Sequence, residues 1–470
     1  MSIDVREPAL RPVCRGGTVK LKVALLCVCM IALICTHRRS VSAGTLKTYD
    51  PPGFYVFHTD ESRSILQQIW LRMNFVAAAY QRKLHAIFGG DVTQKLPFFI
   101  YRREGEYYRG GGMPGSAGVF LVDGRGQRLM AIGGTHIDHQ MWHIIQHEGF
   151  HQFTFAFLHR FLPPWANEGL AEYFGEGLFT GNSFVTGWIP PYRLARLKAE
   201  IRGHKLLSIH AMRVMSYRHW NDVLMGVNYD QAWSMIYFLA WADHHKYARP
   251  FTTYLKLFRD GIPAEQAWER VFGRDDAAFE KRWRKYWLDL PRNPTAVLYA
   301  KVQTQTLENF LSRAALGRQI FTSARQFFRT AASGKLRGFA IPNRLWLPPS
   351  LLKSALGHAE SIGRWKLTGK APELICTMPD GTRVIGHCRI NRRTVRRVWV
   401  TVIHGHGPPP AATVAAAAAL GRKGKPPWIH RWKPWRNKAP WRTKAVTICE
   451  AQEFSDISGG GKPQSGNAGN

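Results

Sequence analysis

The sequence predicts an α+β protein on the basis of three observations. Two short strand-like segments flank a helical segment within residues 53–101, a hairpin pattern follows at 118–132, and the chain after residue 174 is mostly helical to about residue 290. This order predicts a small N-terminal mixed β-sheet with helices, followed by a mostly helical subdomain and a basic, partly disordered C-terminal region. With 470 residues, 45% of them hydrophobic, the chain can bury a sizeable core.

The N-terminal elements follow from hydrophobic periodicity. Residues 53–58 alternate as in a strand, residues 61–88 carry apolar side chains at helical spacing, and residues 96–101 predict a second strand. The Gly-containing turn between 118–122 and 128–132 is typical of a hairpin. A strand at this place, just before the next helix, would be suited to pairing with an extended peptide.

The strongest chemical signal is the segment His147-Glu148-Gly149-Phe150-His151, an H-E-x-x-H motif. On a helix, residues four apart share a face, so His147 and His151 can direct two imidazoles at one metal ion, with Glu148 beside them. Glu168 follows on a second helix after the Pro163-Pro164 break and supplies a carboxylate. Two His and one carboxylate with an open position form a hydrolytic zinc site. The alternative is an ordinary helix with polar His side chains, but the apolar flanks indicate a buried helix, which seldom holds such groups without a partner.

The segments HEGFH and NEGLAEYF resemble those of the gluzincin (peptidase MA-like) zinc metallopeptidases, and within them the DUF1570 group, over roughly residues 48–290. The resemblance implies a zincin active-site subdomain in which Glu168 is the third zinc ligand and Glu148 is the general base. It also implies that Glu172 orients a ligand His, with Asn167 in a supporting position. The alternative for Glu172 is a solvated helix glutamate.

Tyr229 is the candidate for stabilising the oxyanion of the tetrahedral intermediate, because Asn228 to Leu239 resembles a stretch of the same group. A plain packing tyrosine is the equal alternative. His143 shares the face of His147 and is expected to support or pack rather than to bind metal, since Glu168 already completes the ligand set. His136 and His139 are expected in a loop.

These residues together predict a zinc-dependent peptidase that hydrolyses a peptide or protein substrate, with Zn²⁺ as its cofactor. Endopeptidase and exopeptidase action both remain open. The alternative function is a non-catalytic exported surface-binding protein on the same fold, against which Glu148 argues, because only catalysis specifically needs it. All of the proposed ligands precede residue 175, so the sequence predicts that a chain without residues from about 300 onward keeps the zinc site.

The first residues indicate export. Basic residues precede an apolar run from Val23 to Cys35, and Val41-Ser42-Ala43 offers a cleavage site of small residues before Gly44. Residues 1–43 are therefore expected to be a signal peptide, and residues 44–290 the catalytic domain. The alternative is an uncleaved signal that anchors the protein in a membrane.

The positive charge is concentrated in the C-terminal part. The whole chain carries a formal charge of +33, and residues 291–470 hold 29 Lys and Arg against 7 Asp and Glu. We expect a basic accessory region with a small β-hairpin at 291–410, then a low-complexity basic Trp-rich tail at 411–470. An anionic surface or polymer is the expected partner of this region, and nucleic acid is the weaker alternative for an exported protein. The sequence does not indicate an oligomeric state.

Cysteine usage agrees with export, since the catalytic region has none. Cys376 and Cys388 flank the turn sequence Met378-Pro379-Asp380-Gly381. They would face each other across a hairpin and form a disulfide in an oxidising compartment, or remain two free thiols.

Overall fold

The protein has the expected α+β architecture. The computed structural model describes residues 46–124, 126–135, 137–222, 226–337, 346–369, 372–392 and 394–405. The expected signal segment 1–43, the tail 411–470 and His136 lie outside these ranges. Within the described ranges, no helix has the length and apolar run required to cross a membrane.

A five-stranded mixed sheet with two helices forms the N-terminal part. Its elements are β1 (Lys47–Tyr49), β2 (Tyr55–Thr59), α1 (Arg63–Phe88), β3 (Leu96–Tyr101), α2 (Glu104–Arg109), β4 (Gly118–Asp123) and β5 (Gly126–Ile132). The strand order is β1-β2-β3-β5-β4, with β2, β3 and β5 parallel and the two outer pairs antiparallel. The strands, the long helix and the hairpin expected from periodicity are confirmed, and β4 lies at the edge of the sheet.

Helix α1 begins and ends at sequence signals. The Ser62 hydroxyl accepts a hydrogen bond from the backbone N–H of Ile65, which caps the first turn. The helix ends at Gly89, whose φ of 67° suits glycine. Its buried face packs on the helix that carries the H-E-x-x-H motif, so α1 supports the site from behind.

The next part is mostly helical, as expected. Its elements are α3 (His139–Leu158), α4 (Pro164–Gly175), β6 (Leu178–Phe179), β7 (Phe184–Val185), α5 (Pro191–Arg202), α6 (Ile209–Val214), α7 (Tyr217–Asp222), α8 (Gly226–His245), α9 (Ala248–Arg259), α10 (Ala264–Phe272) and α11 (Asp276–Asp289). Its core is rich in fully buried indole rings, among them those of Trp165, Trp233, Trp268 and Trp287. His139 is the first residue of α3 rather than part of a loop, because the Asp138 carboxylate caps the helix directly before it.

The region after residue 290 is more structured than the expected small hairpin. It contains α12 (Ala296–Leu316), α13 (Ala324–Ala332), α14 (Pro349–Ile362), β8 (Arg364–Thr368), β9 (Glu373–Thr377), β10 (Arg383–Asn391) and β11 (Thr394–Ile403). The four strands form an antiparallel sheet in the order β11-β10-β9-β8, and α12 packs on one of its faces.

Polar contacts join this region to the preceding helices. The Asn309 side-chain amide of α12 donates to the Thr180 carbonyl (3.0 Å), and the backbone N–H of Ile189 donates to the Thr295 hydroxyl (3.0 Å). The Ser350 hydroxyl donates to the Gln68 side chain of α1 (2.7 Å). The described residues after 290 therefore pack directly on the part that carries the H-E-x-x-H motif.

The two cysteines do not form the disulfide that was one of the two expectations. Strands β9 and β10 do make a hairpin around the turn at 378–381, but the register places Cys376 opposite Val384. Cys388 lies opposite Val398 on the other neighbouring strand, and both thiols are free. The reason is register: the residues that face each other are set by the tight turn, and Cys388 lies too far along β10.

Candidate metal centre

Helix α3 carries both histidines of the motif on one buried face. His147 and His151 are 7% and 0% exposed, and apolar side chains flank them on α3. The helix is buried on nearly all sides from Trp142 to Phe155. Two imidazoles in such a place need polar partners, because burying an unpaired polar group costs free energy.

Helix α4 brings the carboxylate of Glu168 to the two imidazoles. The break before it contains Pro163 and Pro164, and a proline in the first turn suits a helix start. Gly169 follows Glu168 and lets α4 approach α8 closely: a Cβ at this position would lie 2.5 Å from the Ala232 carbonyl oxygen. The glycine of the NEG segment is therefore required by packing and not by a turn.

The three candidate ligand atoms lie close enough to share one ion. Nε2 of His147 is 3.0 Å from Nε2 of His151. Oε2 of Glu168 is 3.3 Å from the former nitrogen and 3.5 Å from the latter. Tetrahedral zinc with bonds of about 2.1 Å needs ligand atoms about 3.4 Å apart. The spacing of His147, His151 and Glu168 therefore fits a tetrahedral zinc ion, and these residues form one of the potential metal-binding groups among the described residues.

The pKa values of His147 and Glu168 reflect how closely these side chains are packed. Burial opposes a charge on His147, but hydrogen bonds to Glu168 and Glu172 outweigh it and raise its pKa to about 10. Burial also opposes a charge on Glu168, but His151 and His147 outweigh it and lower the pKa of this carboxyl to about 2. The cluster therefore holds a negative carboxylate against a protonated imidazole, and a cation at the shared position would replace that proton.

Glu172 lies one turn after Glu168 and contacts the other nitrogen of His147. Its Oε1 is 3.1 Å from Nδ1 of His147, which is the position of a carboxylate that orients a metal-binding imidazole. Nε2 of His143 is 3.4 Å from the same oxygen. His143, His147 and Glu172 form a second potential metal-binding group that shares His147 with the first. The second group already has a cation beside it, the guanidinium of Arg193.

Arg193 is the main residue that the sequence analysis missed. It lies on α5, is 3% exposed, and its guanidinium contacts three buried carboxylates: Glu172 (2.6 Å), Glu176 (2.8 Å) and Asp230 (2.9 Å). Burial would lower the pKa of Arg193, but these carboxylates outweigh it and raise the value. Arg193 also holds the pKa of Glu172 well below its usual range, against the effect of burial. In a chain with 65 Lys and Arg, no local pattern distinguishes this arginine from a surface one.

Gln146 is a second residue that the sequence did not reveal. Its side-chain amide donates to the carbonyls of Gly175 (2.8 Å) and Gly177 (3.1 Å) at the end of α4, while its oxygen accepts from Arg72 (2.8 Å) of α1. It thereby satisfies carbonyl groups that a helix end leaves without partners. Gln146 precedes His147 directly, so it ties the orientation of α3 to that of α4.

Glu148 is directed to the edge strand of the N-terminal sheet. Its carboxylate is 2% exposed, and Oε2 accepts a hydrogen bond from the backbone N–H of Phe120 on β4 (2.9 Å). This bond fixes the carboxylate between α3 and the sheet edge. The motif glutamate therefore lies where an extended segment along β4 would pass.

Asn167 and Tyr229 both lie beside the cluster. The Asn167 amide donates to Oε1 of Glu168 (3.3 Å), the oxygen that does not face the imidazoles. The Tyr229 ring on α8 lies 6.3 Å from that of His147, and the Trp220 indole N–H donates to its hydroxyl (3.4 Å). Burial, followed by the negative Glu168, raises the pKa of Tyr229 well above its usual value. Its hydroxyl therefore stays protonated and can donate a hydrogen bond.

Fold and site together define an α+β protein with a buried His-His-Glu cluster and an adjacent glutamate on one helix pair. Within this protein, residues 142–256 match the family described as "Protein of unknown function (DUF1570)". The expected similarity to DUF1570 is thus confirmed for the segment from α3 to α9. Comparisons with curated proteins and with solved structures gave no match.

Proposed function

We propose that this protein is a zinc-dependent hydrolase of the gluzincin type that cleaves peptide bonds. The observation that carries the proposal is the spacing of 3.0–3.5 Å among Nε2 of His147, Nε2 of His151 and Oε2 of Glu168. Carboxylate and imidazole ligands at this spacing suit zinc. The orienting contact of Glu172 with His147 is a further feature of such sites.

Each neighbouring side chain has a role in this proposal. Zinc, when bound, supplies Lewis-acid polarisation of a water molecule and of the scissile carbonyl. The Glu148 carboxylate accepts the proton of the attacking water and passes it to the leaving amine. The protonated Tyr229 hydroxyl donates a hydrogen bond to the oxygen on which negative charge develops. Arg193 and Glu172 keep His147 in the orientation that ligation requires.

The edge strand β4 supports a peptide as the substrate. Along a strand, alternate residues direct their backbone groups to the same side. The N–H of Phe120 is directed away from β5, to Glu148, so the backbone groups of Gly118 and Val122 are directed to the same outer edge. A peptide in extended conformation pairing there would lie next to Glu148.

The proposal includes action outside the cytoplasm. Its support is the signal-like sequence of residues 1–43 alone. Cell fractionation and N-terminal sequencing of the protein from its own host would test it. A mature chain beginning near Gly44 is expected, and a chain that retains residue 1 in the soluble cytoplasmic fraction would contradict export.

The decisive experiment compares two variants for metal and activity. Glu148→Gln should retain about one zinc per chain but lose peptidase activity by roughly 10²–10⁴-fold, because an amide cannot accept the proton of water. His147→Ala/His151→Ala should lose the zinc, since two of three protein ligands are removed. Metal analysis and turnover of a peptide library provide the two measurements.

Two results would overturn the proposal. Stoichiometric zinc in the double-histidine variant would place the metal elsewhere. Turnover of Glu148→Gln at the rate of the unaltered protein would exclude this glutamate as the base.

A further inference from the structure

The outer face of the C-terminal sheet carries a cluster of exposed basic side chains. In the register of β8 to β11, alternate residues face away from α12. The basic residues that face away from α12 are exposed, and they lie on three of the four strands: Arg364, Lys366, Arg383, Arg389 and Arg397. We call these residues the basic sheet face.

The opposite face of the same sheet is the buried one. Val384 and Gly386 of β10 are buried, and Cys376 of β9 is fully buried. A Cβ on Gly386 would lie 3.0 Å from the Cβ of Glu308 on α12. Helix α12 therefore covers the inner face, whereas the side chains of the basic sheet face are exposed.

The charge on this face is not balanced within the sheet. Among the described residues of the face, Glu373 is the only acidic one, and its carboxylate is bound by Nδ1 of His387 (2.8 Å). Arg389 and Arg397 are directly opposite each other on β10 and β11. Like charges at opposed positions of an antiparallel pair destabilise a sheet, so the fold tolerates a repulsion that a bound anion would relieve.

We propose that the basic sheet face binds an anionic polysaccharide. Charge complementarity identifies a polyanion, and antiparallel strands about 4.8 Å apart present guanidinium groups at regular intervals to a linear chain. The aromatic pair on the face favours a glycan over a single-stranded nucleic acid. The rings of Trp399 and His387 stack on each other at 5.3 Å, and the Arg397 guanidinium lies 5.4 Å from the Trp399 ring. Bases need free ring faces on which to stack, and the Trp399 ring already contacts His387 and Arg397.

The other residues of the face agree with this choice. Ile375, Ile385 and Thr401 separate the basic side chains and provide no further aromatic platform. The C-terminal segment of the chain itself is excluded as the occupant by its charge, because residues 406–470 are also rich in Lys and Arg. The face is independent of the proposed zinc chemistry, since none of its residues belongs to the His147 cluster.

The test uses the full chain and a matched pair of charge-reversal variants. The face variant is Arg383→Glu/Arg389→Glu/Arg397→Glu. The control variant is Lys256→Glu/Arg270→Glu/Lys281→Glu, which reverses the same number of exposed charges on α9, α10 and α11. The probes are a fluorescent heparin octasaccharide and a single-stranded oligothymidylate of equal charge, titrated at several salt concentrations and followed by anisotropy.

The face variant is expected to bind the octasaccharide at least tenfold more weakly at about 0.1 M salt, with a shallower dependence on salt. The control variant should stay within about twofold of the unaltered protein, although its net charge is the same as that of the face variant. The unaltered protein should bind the octasaccharide more tightly than the oligothymidylate. Thermal unfolding of each variant checks the fold, and Arg389→Gln/Arg397→Gln serves where charge reversal prevents folding.

Two outcomes would overturn the proposal. An equal loss of octasaccharide affinity in the face and control variants would mean that binding depends on the net charge of the protein and not on this face. Tighter binding of the oligothymidylate, lost in the face variant, would assign the face to nucleic acid.

Discussion

At the residue scale, two buried carboxylates hold a proton on the His147 imidazole. This imidazole donates towards Glu168 from Nε2 and towards Glu172 from Nδ1, and these carboxylates raise its pKa to about 10 despite burial. A ligand imidazole must give up the proton of the nitrogen that binds metal. In the proposed zinc site, the metal would therefore compete with this proton for Nε2.

We predict that zinc affinity rises with pH. Between about pH 6 and 8 the dissociation constant should fall by about tenfold per pH unit, since at least one proton is displaced for each zinc bound. Titration against a competing chelator at several pH values measures this slope. Glu172→Gln is the companion variant, because it removes one of the carboxylates that raise the pKa of His147. In this variant the fall of the zinc dissociation constant with pH should level off at a lower pH. An affinity that does not change with pH in the unaltered protein would show that His147 is not protonated before zinc binds.

The buried Arg193 provides a second prediction at this scale. Arg193→Leu should destabilise the metal-free protein by about 3–5 kcal/mol, because it leaves buried carboxylates without their cation. Arg196→Leu on the same helix is the control. Arg196 also contacts Asp230, but its side chain is 45% exposed, and the expected loss is below about 1 kcal/mol. Urea unfolding of both variants measures the two losses in free energy of unfolding. Similar losses would mean that the burial of Arg193 does not determine its contribution to stability.

At the scale of elements, the site depends on how closely α4 and α8 approach each other. Glu168 comes from α4 and Tyr229 from α8, and at Gly169 the two helices leave no room for a Cβ atom. A shift of either helix would move one of these side chains relative to His147 and change their separation. Interiors are close-packed, so such a shift is costly.

We predict that Gly169→Ala destabilises the protein by about 1–3 kcal/mol, since its methyl group would overlap the Ala232 carbonyl. Gly357→Ala is the matched control. Gly357 lies within α14 with no heavy atom within 4 Å of an added Cβ, so the substitution should stabilise by up to about 1 kcal/mol through helix propensity. In thermal unfolding, Gly169→Ala should lower the melting temperature and Gly357→Ala should raise it. Stabilisation by both substitutions would rule out a tight contact at Gly169.

At the scale of the whole molecule, the described region after residue 290 supports the part that carries the proposed zinc ligands. Asn309 on α12 binds the turn between β6 and β7 directly after α4, and Ser350 at the start of α14 binds Gln68 on α1. Leu71 of α1 packs on the core formed by α12, α13 and α14. These contacts connect the last three helices to α1 and to the turn after α4, and both α1 and α4 pack on α3.

A chain that ends at Leu290 is therefore expected to be much less stable. Its melting temperature should fall by at least about 10 °C, because the loss of several kcal/mol corresponds to roughly 2–4 °C for each kcal/mol in a domain of this size. A chain that ends at Gly405 keeps every described element and should melt as the full chain does. Differential scanning calorimetry of the two truncations tests this. An unchanged melting temperature and zinc content in the shorter chain would instead support the expectation from sequence, that the zinc site needs nothing after about residue 300.

The sequence by itself predicted that His147, His151 and Glu168 lie together, and it predicted most of the secondary structure. Periodicity predicted α1, β3 and the β4–β5 hairpin because these elements bury one face each. The spacing of His147 and His151 fixed their common face, because helix geometry is local. The sequence did not reveal Arg193 as a partner of Glu172, because no local pattern distinguishes this arginine from the other basic residues of the chain.

Only the tertiary structure decided how these elements meet. It determined that β4 is an edge strand whose Phe120 binds Glu148, that Cys376 and Cys388 are separated by the register of β10, and that the region after residue 290 forms a four-stranded sheet. The physical reason is that helix faces and strand periods depend on near neighbours in the chain. Strand order, pairing register and the burial of a charged side chain depend on contacts between distant segments, which no local pattern encodes.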